Sequence, residues 1–185
     1  MRFVTVVGNP RAGSRTLSVA VAAAAEIMQA ARLEAGHQVI DLSVLARRLL
    51  LPEPSPAIED AIDQVREADL LLVASPTFKA TYTGLLKVFF DRLPHRALDG
   101  AAAFPLLVMG APQHAFAVEV HLRPLLVELG ATVPAPGLAV LESDLGNLEA
   151  VLRPWAQQIA TALRKEEEAA SGTWAAGKAA ATGTR

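Results

Sequence analysis

The residues able to do chemistry fall in three short stretches. The first is Gly8-Asn9-Pro10-Arg11-Ala12-Gly13-Ser14-Arg15-Thr16, which follows the apolar, β-branched run at 4–7. A buried strand, a tight Gly- and Pro-containing turn and a helix start are implied in that order. Such a junction aims free backbone amides and the positive end of a helix dipole at one point, which makes an anion site. Ser14 and Thr16 add hydroxyl donors, and Arg15 and Arg11 add permanently charged guanidinium forks. Gly8 and Gly13 have the spacing of the nucleotide P-loop, but Ser14 stands where its lysine must be and Arg15 where its metal-binding hydroxyl must be. Pro10 breaks the dinucleotide fingerprint. What fits best is a loop in which hydroxyls and amides hold a single phosphate without a metal. The bland alternative is an ordinary turn with no ligand.

The second stretch is Ser75-Pro76-Thr77-Phe78-Lys79-Ala80-Thr81-Tyr82-Thr83-Gly84-Leu85-Leu86-Lys87. Its loop precedes a helix, so amides at 77–80 are free, Pro76 stiffens the turn, and Phe78 can face a planar ring. Preorganised donors there suit the edge of a ring that gains negative charge on reduction. The competing reading packs Phe78 into the core. The third stretch is Gly110-Ala111-Pro112-Gln113-His114. Gly110 permits close backbone approach, and Gln113 and His114 bring polar groups. No catalytic side chain is assigned: a lone His114 reads as surface or cap, His121 as surface or interface, and His37 and His95 show no metal spacing.

Five strand–helix alternations must position these turns. The expected strands are 2–7, 38–42, 69–75, 104–109 and a short or interrupted one over 132–141. The expected helices are 14–35, ended by Gly36, then 57–67, 83–93, 115–129 with Pro124 as kink or break, and 145–165. Residues 43–56, with their prolines, read as irregular with one helical turn. The continuous apolar run at 70–74 implies burial on both sheet faces. An alternating α/β chain gives a parallel sheet covered by helices on both sides. Right-handed crossovers favour the five-strand order 2-1-3-4-5, with a ligand where the order reverses. The turns at 8–15, 76–82 and 110–114 should then meet at the carboxyl edge of the sheet. The helix at 83–93 carries more apolar surface than one sheet face needs, so a dimer or tetramer built partly on it is expected.

The chain of 185 residues suits one domain, 1–165, and its 52% hydrophobic content supports a sizeable core. A formal net charge of −2 argues against nucleic-acid binding. Cysteine is absent, so thiol chemistry, disulfides and Cys-ligated metals are excluded. No secretory or membrane-spanning pattern is present, which makes the cytoplasm the expected location. Residues 166–185 open Glu166-Glu167-Glu168 and continue in Ala, Gly, Thr and Ser, a low-complexity composition read as a disordered tail.

Taken together, the first two stretches and His121-Leu122-Arg123-Pro124-Leu125-Leu126-Val127-Glu128-Leu129-Gly130-Ala131-Thr132 resemble the NADPH-dependent FMN reductases, over about residues 2–165. The resemblance is greatest to those that feed reduced flavin to alkanesulfonate-type monooxygenases. It implies a flavodoxin-like fold, FMN and NADPH (or NADH) as cofactors, hydride transfer between them, a homodimer or homotetramer, and a monooxygenase partner. By the same resemblance Ser14, Arg15 and Thr16 hold the FMN phosphate, with Pro10 and Arg11 in the same loop. Pro76, Thr77, Phe78 and Lys79 line the isoalloxazine, and Gly110, Ala111 and Gln113 lie on its other side. Arg11 or Arg15 is also suited to the NADPH 2′-phosphate. Three departures stand out. Phe78 replaces the family's usual tyrosine, Ala111 and Pro112 replace a Gly-Ser pair, and Val120 and His121 occupy the region where some relatives insert a residue to make a π-bulge. The alternatives are a quinone or azo-dye reductase with bound FMN, a flavodoxin-type electron carrier, and a P-loop hydrolase.

Overall fold

The computed structural model describes residues 1–182, with side chains placed through Glu166 and again at Glu168 and Ala169. Five strands form one parallel sheet in the order 2-1-3-4-5: β1 (Arg2–Val7), β2 (Gly36–Asp41), β3 (Leu70–Pro76), β4 (Ala102–Met109) and β5 (Leu138–Leu141). This is the flavodoxin-like order expected of the sequence. Every residue of β3 and β4 is buried, as continuous apolar runs in the middle of a two-faced sheet require.

Helices cover both faces. On one side α1 (Arg15–Ala31) and α6 (Leu148–Thr182) pack through Val19, Ala23, Ile27, Leu152, Trp155 and Ile159 onto Phe3, Leu72 and Phe104. On the other lie α2 (Ala46–Leu49), α3 (Pro56–Arg66), α4 (Gly84–Phe90) and α5 (Arg123–Glu128), packed on Val4, Val6, Leu71 and Leu107. Small residues on α1 let it lie close to the sheet, while Ile58, Ile62, Val65, Phe89 and Phe90 fill the opposite core. Among the described residues no helix is long and apolar enough to cross a membrane.

Several boundaries differ from expectation, each for a local reason. Helix α1 stops at Arg32, which takes the left-handed conformation (φ 53°) and donates to the Gln29 carbonyl while Leu33 donates to Met28. Gly36 is therefore free to open β2 rather than end the helix. Helix α4 ends at Asp91, before Pro94, and its apolar residues are consumed inside the chain: Leu86, Phe89 and Phe90 are buried and Leu85 and Val88 pack against the core. What remains of the surplus apolar face expected on it is the half-buried pair Leu85 and Val88. The exposed large hydrophobics lie elsewhere, at Val44, Leu50, Phe116, Val120 and Val127 among others. The fifth strand is indeed interrupted: Thr132 makes an isolated bridge to Ala102, and pairing with β4 resumes only at Leu138.

The expected helix at 115–129 is two pieces. Val118–Leu122 is a π-helical turn, and α5 follows it. Pro124 has no amide to return to Val120, so the α-helical ladder cannot run unbroken through this point. Helix α6 starts after a 3₁₀ segment (Glu142–Asn147) and runs on through residues 166–182. Residues 183–185 of the expected tail lie outside the described residues.

Candidate flavin site

A parallel sheet puts every strand's carboxyl end on one edge. Val7 ends β1 opposite Ala74, β3 continues two residues to Pro76 opposite Val108, and β4 ends one residue later at Met109. The turns at 8–15, 76–82 and 110–114 therefore share one rim, as their spacing predicted.

The first turn is organised by Asn9. Its Oδ1 accepts from the Arg11 amide at 2.9 Å, closing an Asx turn, and its Nδ2 donates to Thr16 Oγ1 at 3.1 Å. Ser14 is the N-cap of α1, with Oγ accepting from the Leu17 amide at 3.2 Å. Each hydroxyl is thus fixed through its acceptor side, which leaves its proton free to donate to an anion. Gly13 sits at φ 61°, a conformation costly for other residues, and turns the loop onto the helix. Gly8 is required for a different reason: a Cβ there would lie 2.6 Å from Cβ of Leu86, so only glycine lets α4 close on the end of β1.

Pro10, Arg11, Ala12 and Gly13 are exposed, whereas Ser14 and Thr16 are buried. Arg11 makes no ion pair among the described residues. Arg15 does: its Nη2 lies 2.8 Å from Oε1 of Glu142, which follows β5 at the same rim.

The second turn is stitched to the first by Thr83. This buried N-cap of α4 accepts from the Leu86 amide, donates its hydroxyl proton to the Gly8 carbonyl, and sends its own amide to Ser75 Oγ at 3.0 Å. Ser75 Oγ in turn donates to the Pro76 carbonyl at 2.9 Å. Thr77 ties the second turn to β4, its amide donating to the Val108 carbonyl at 2.8 Å. Its Oγ1 is buried and has no partner, an uncompensated polar atom of the kind that a ligand group satisfies. Phe78 and Thr81 exchange backbone hydrogen bonds around Lys79 (φ 52°) and Ala80 (φ 67°), a tight turn held in the left-handed region by two residues other than glycine. The amides at 77–80 are therefore not all free as expected: those of Thr77 and Phe78 are taken up by the Val108 and Thr81 carbonyls.

Phe78 is 46% exposed, so it does not pack the core; its ring faces solvent on the rim. Pro76 is buried as the last residue of β3, and Lys79 is exposed. In the third turn Gly110 and Gln113 are exposed and Ala111 half-buried, and Pro112 begins a single 3₁₀ turn, Pro112–His114. Pro112 takes the position where a missing amide costs least.

Sequence reasoning singled out the turns but missed Asn9, Ser75 and Thr83, which hold them. Thr83 had a visible signal, a hydroxyl residue directly before an apolar helical run. The tie between Arg15 and Glu142 joins residues far apart in sequence and had none. His37 also has a partner the sequence did not reveal, Thr5 Oγ1 at 2.9 Å, and burial pulls its pKa below the ordinary value.

Residues 1–145 match the pattern of a known family, described as NADPH-dependent FMN reductase. The chain belongs to that family. It is 37% identical over 131 residues to the FMN reductase (NADPH) of Escherichia coli (strain K12), covering 71% of this chain and 68% of the relative. It is 30% identical over 169 residues to the NADH-dependent FMN reductase SfnF of Pseudomonas fluorescens (strain Pf0-1), with 89% of each covered. A solved apo structure of an NADH:FMN oxidoreductase superposes with a TM-score of 0.75 at 30% identity, covering 86% of this chain and 88% of that one. The protein is thus an NAD(P)H-dependent FMN reductase, an oxidoreductase whose cofactors are FMN and a reduced nicotinamide nucleotide.

Proposed function

We propose that the rim formed by the three turns is where FMN is held. In this reading Ser14, Thr16 and the first amides of α1 grip the phosphate, with Arg15 closing over it. Pro76, Thr77, Phe78 and Lys79 form one wall of the ring site, and Gly110, Ala111 and Gln113 the other. Pro10 and Arg11 border the phosphate end. The observation that carries the reading is Thr77 Oγ1: a buried hydroxyl without a partner, on a turn that Thr83 has locked to the phosphate loop. Its proton is available to a ring heteroatom.

When bound, FMN accepts the hydride of the reduced nicotinamide, so no side-chain acid or base is needed. The protein's part is to orient and expose. Because the Thr77 and Phe78 amides are spent on the Val108 and Thr81 carbonyls, the donors left for the ring edge where charge accumulates are the Thr77 hydroxyl and the Lys79 and Ala80 amides, and the rigidity of the turn avoids reorganisation during transfer. Phe78, open to solvent, keeps a flat apolar surface beside the ring for the incoming nicotinamide. Arg11, exposed and without an ion pair among the described residues, is placed to meet nucleotide phosphates.

The product, reduced flavin, passes to a partner monooxygenase in the cytoplasm, where reduced nicotinamide nucleotides are abundant. The enzyme works as a homodimer or homotetramer; the exposed Phe116 just before the π turn, Val120 within it and Val127 on α5 support an assembly through that region. The test is steady-state oxidation of NADPH and of NADH with varied free FMN, alongside an absorption spectrum of the purified protein. Saturable dependence on added FMN supports the reading. Turnover independent of added FMN, with flavin already bound, makes FMN a fixed group and moves the reading to a quinone or azo reductase.

A further inference from the structure

The phosphate loop carries an anion of its own. Arg15, the first residue of α1, holds the carboxylate of Glu142 at 2.8 Å. Glu142 is the first residue after β5, and the register of β5 with β4 fixes it at the same sheet edge as the turns, since Leu141 pairs with Met109. Both side chains reach solvent, 65% and 40% exposed, so neither is locked in place by packing. The guanidinium that an incoming phosphate would claim is therefore already in use.

We propose that Glu142 is an intramolecular competitor for Arg15 and sets how readily FMN enters and leaves. The inference rests on the phosphate placement given above. A phosphate oxygen and a carboxylate seek the same planar donors, and both are negative, so they cannot share Arg15 without repulsion. Glu142 must swing away as the phosphate arrives, and it returns as the phosphate departs. Free Arg15 is never left unpaired, which stabilises the empty site relative to the filled one. A flavin that must be handed on benefits from such a bias toward exchange. Exposed ion pairs are individually weak, so the effect is a modest adjustment of affinity and not a lock.

The experiment is equilibrium titration of the full chain with FMN and, separately, with riboflavin, which lacks the phosphate. Glu142→Gln should bind FMN about two- to fivefold more tightly, with riboflavin unchanged. The KM for FMN should fall with kcat at saturating FMN unchanged. In an Arg15→Met background the gain from Glu142→Gln should disappear. The proposal is overturned if Glu142→Gln binds FMN no more tightly than the parent, if riboflavin gains equally, or if the gain survives in Arg15→Met. Failure of the underlying placement looks different: the parent protein would then bind FMN no better than riboflavin.

Discussion

Thr83 does more than its position as a helix cap requires. One hydroxyl accepts from the Leu86 amide and donates to the Gly8 carbonyl, so it closes α4 and joins two turns that are distant in sequence. Thr83→Val keeps the shape and removes both bonds, leaving a buried carbonyl and an amide without partners. The expected loss is about 1–3 kcal/mol of stability in urea unfolding, with weakened FMN binding. Thr83→Ser should restore most of both. A valine variant as stable as the parent would show that the stitch is incidental. The same logic explains Gly8, where the obstacle to a side chain is the backbone-proximal Cβ of Leu86.

Among the elements, the π turn and α5 are held by one ion pair. Glu119 accepts from Arg123 and from the Gly137 amide, and Arg123 spends its remaining donors on the Val133 and Ala135 carbonyls at 2.8 and 2.6 Å. The irregular crossover into β5 is thereby fastened to the helix beside it. The hydrogen bond from Arg123 holds the Glu119 carboxyl below its ordinary value of 4.5, against the opposing pull of burial and with help from the Gly137 amide. A depressed folded-state pKa stabilises the fold above the unfolded value, and that contribution fades as pH falls through the folded one. Urea midpoints at neutral pH and well below 4.5 should therefore diverge more in the parent than in Glu119→Gln. With the side chain 37% exposed, the difference is at most about 1 kcal/mol. Equal acid sensitivity in both proteins would show that Glu119 does not contribute.

The elements also show what a linear pattern carries. Strand order, the two-faced core and the shared rim follow from periodicity and turn residues, because parallel topology leaves few alternatives. Fixed points set by tertiary contact do not. Gly36 looked like a helix stop, but Arg32 adopts the left-handed cap instead. Lys79 and Ala80 carry no sign of positive φ, since the turn is imposed by the reciprocal hydrogen bonds of Phe78 and Thr81. Pro124 marked a break in its helix without revealing that a π turn precedes it. At the candidate site, residue types pointed to the three turns and a hydroxyl before an apolar run marked Thr83 as a helix cap, while the ties made by Asn9 and Ser75 become visible only with the chain folded.

At the scale of the molecule, α4 buries Leu86, Phe89 and Phe90 within its own chain and keeps Leu85 and Val88 half-buried. Among the exposed apolar side chains, Phe116, Val120 and Val127, 78%, 57% and 53% exposed, fall close together in sequence, before, within and after the π turn. In the proposed homodimer or homotetramer, Phe116→Glu should shift the mass measured by light scattering to a monomer or a smaller assembly. An unchanged mass would place the contact elsewhere.

In the proposed site, three turns on one sheet edge hold a flat, monophosphorylated ring. Amide hydrogen exchange with and without FMN tests this most directly. Added protection is expected in residues 8–16, 76–82 and 110–114 together. Protection confined to other segments, or none at saturating flavin, would contradict it.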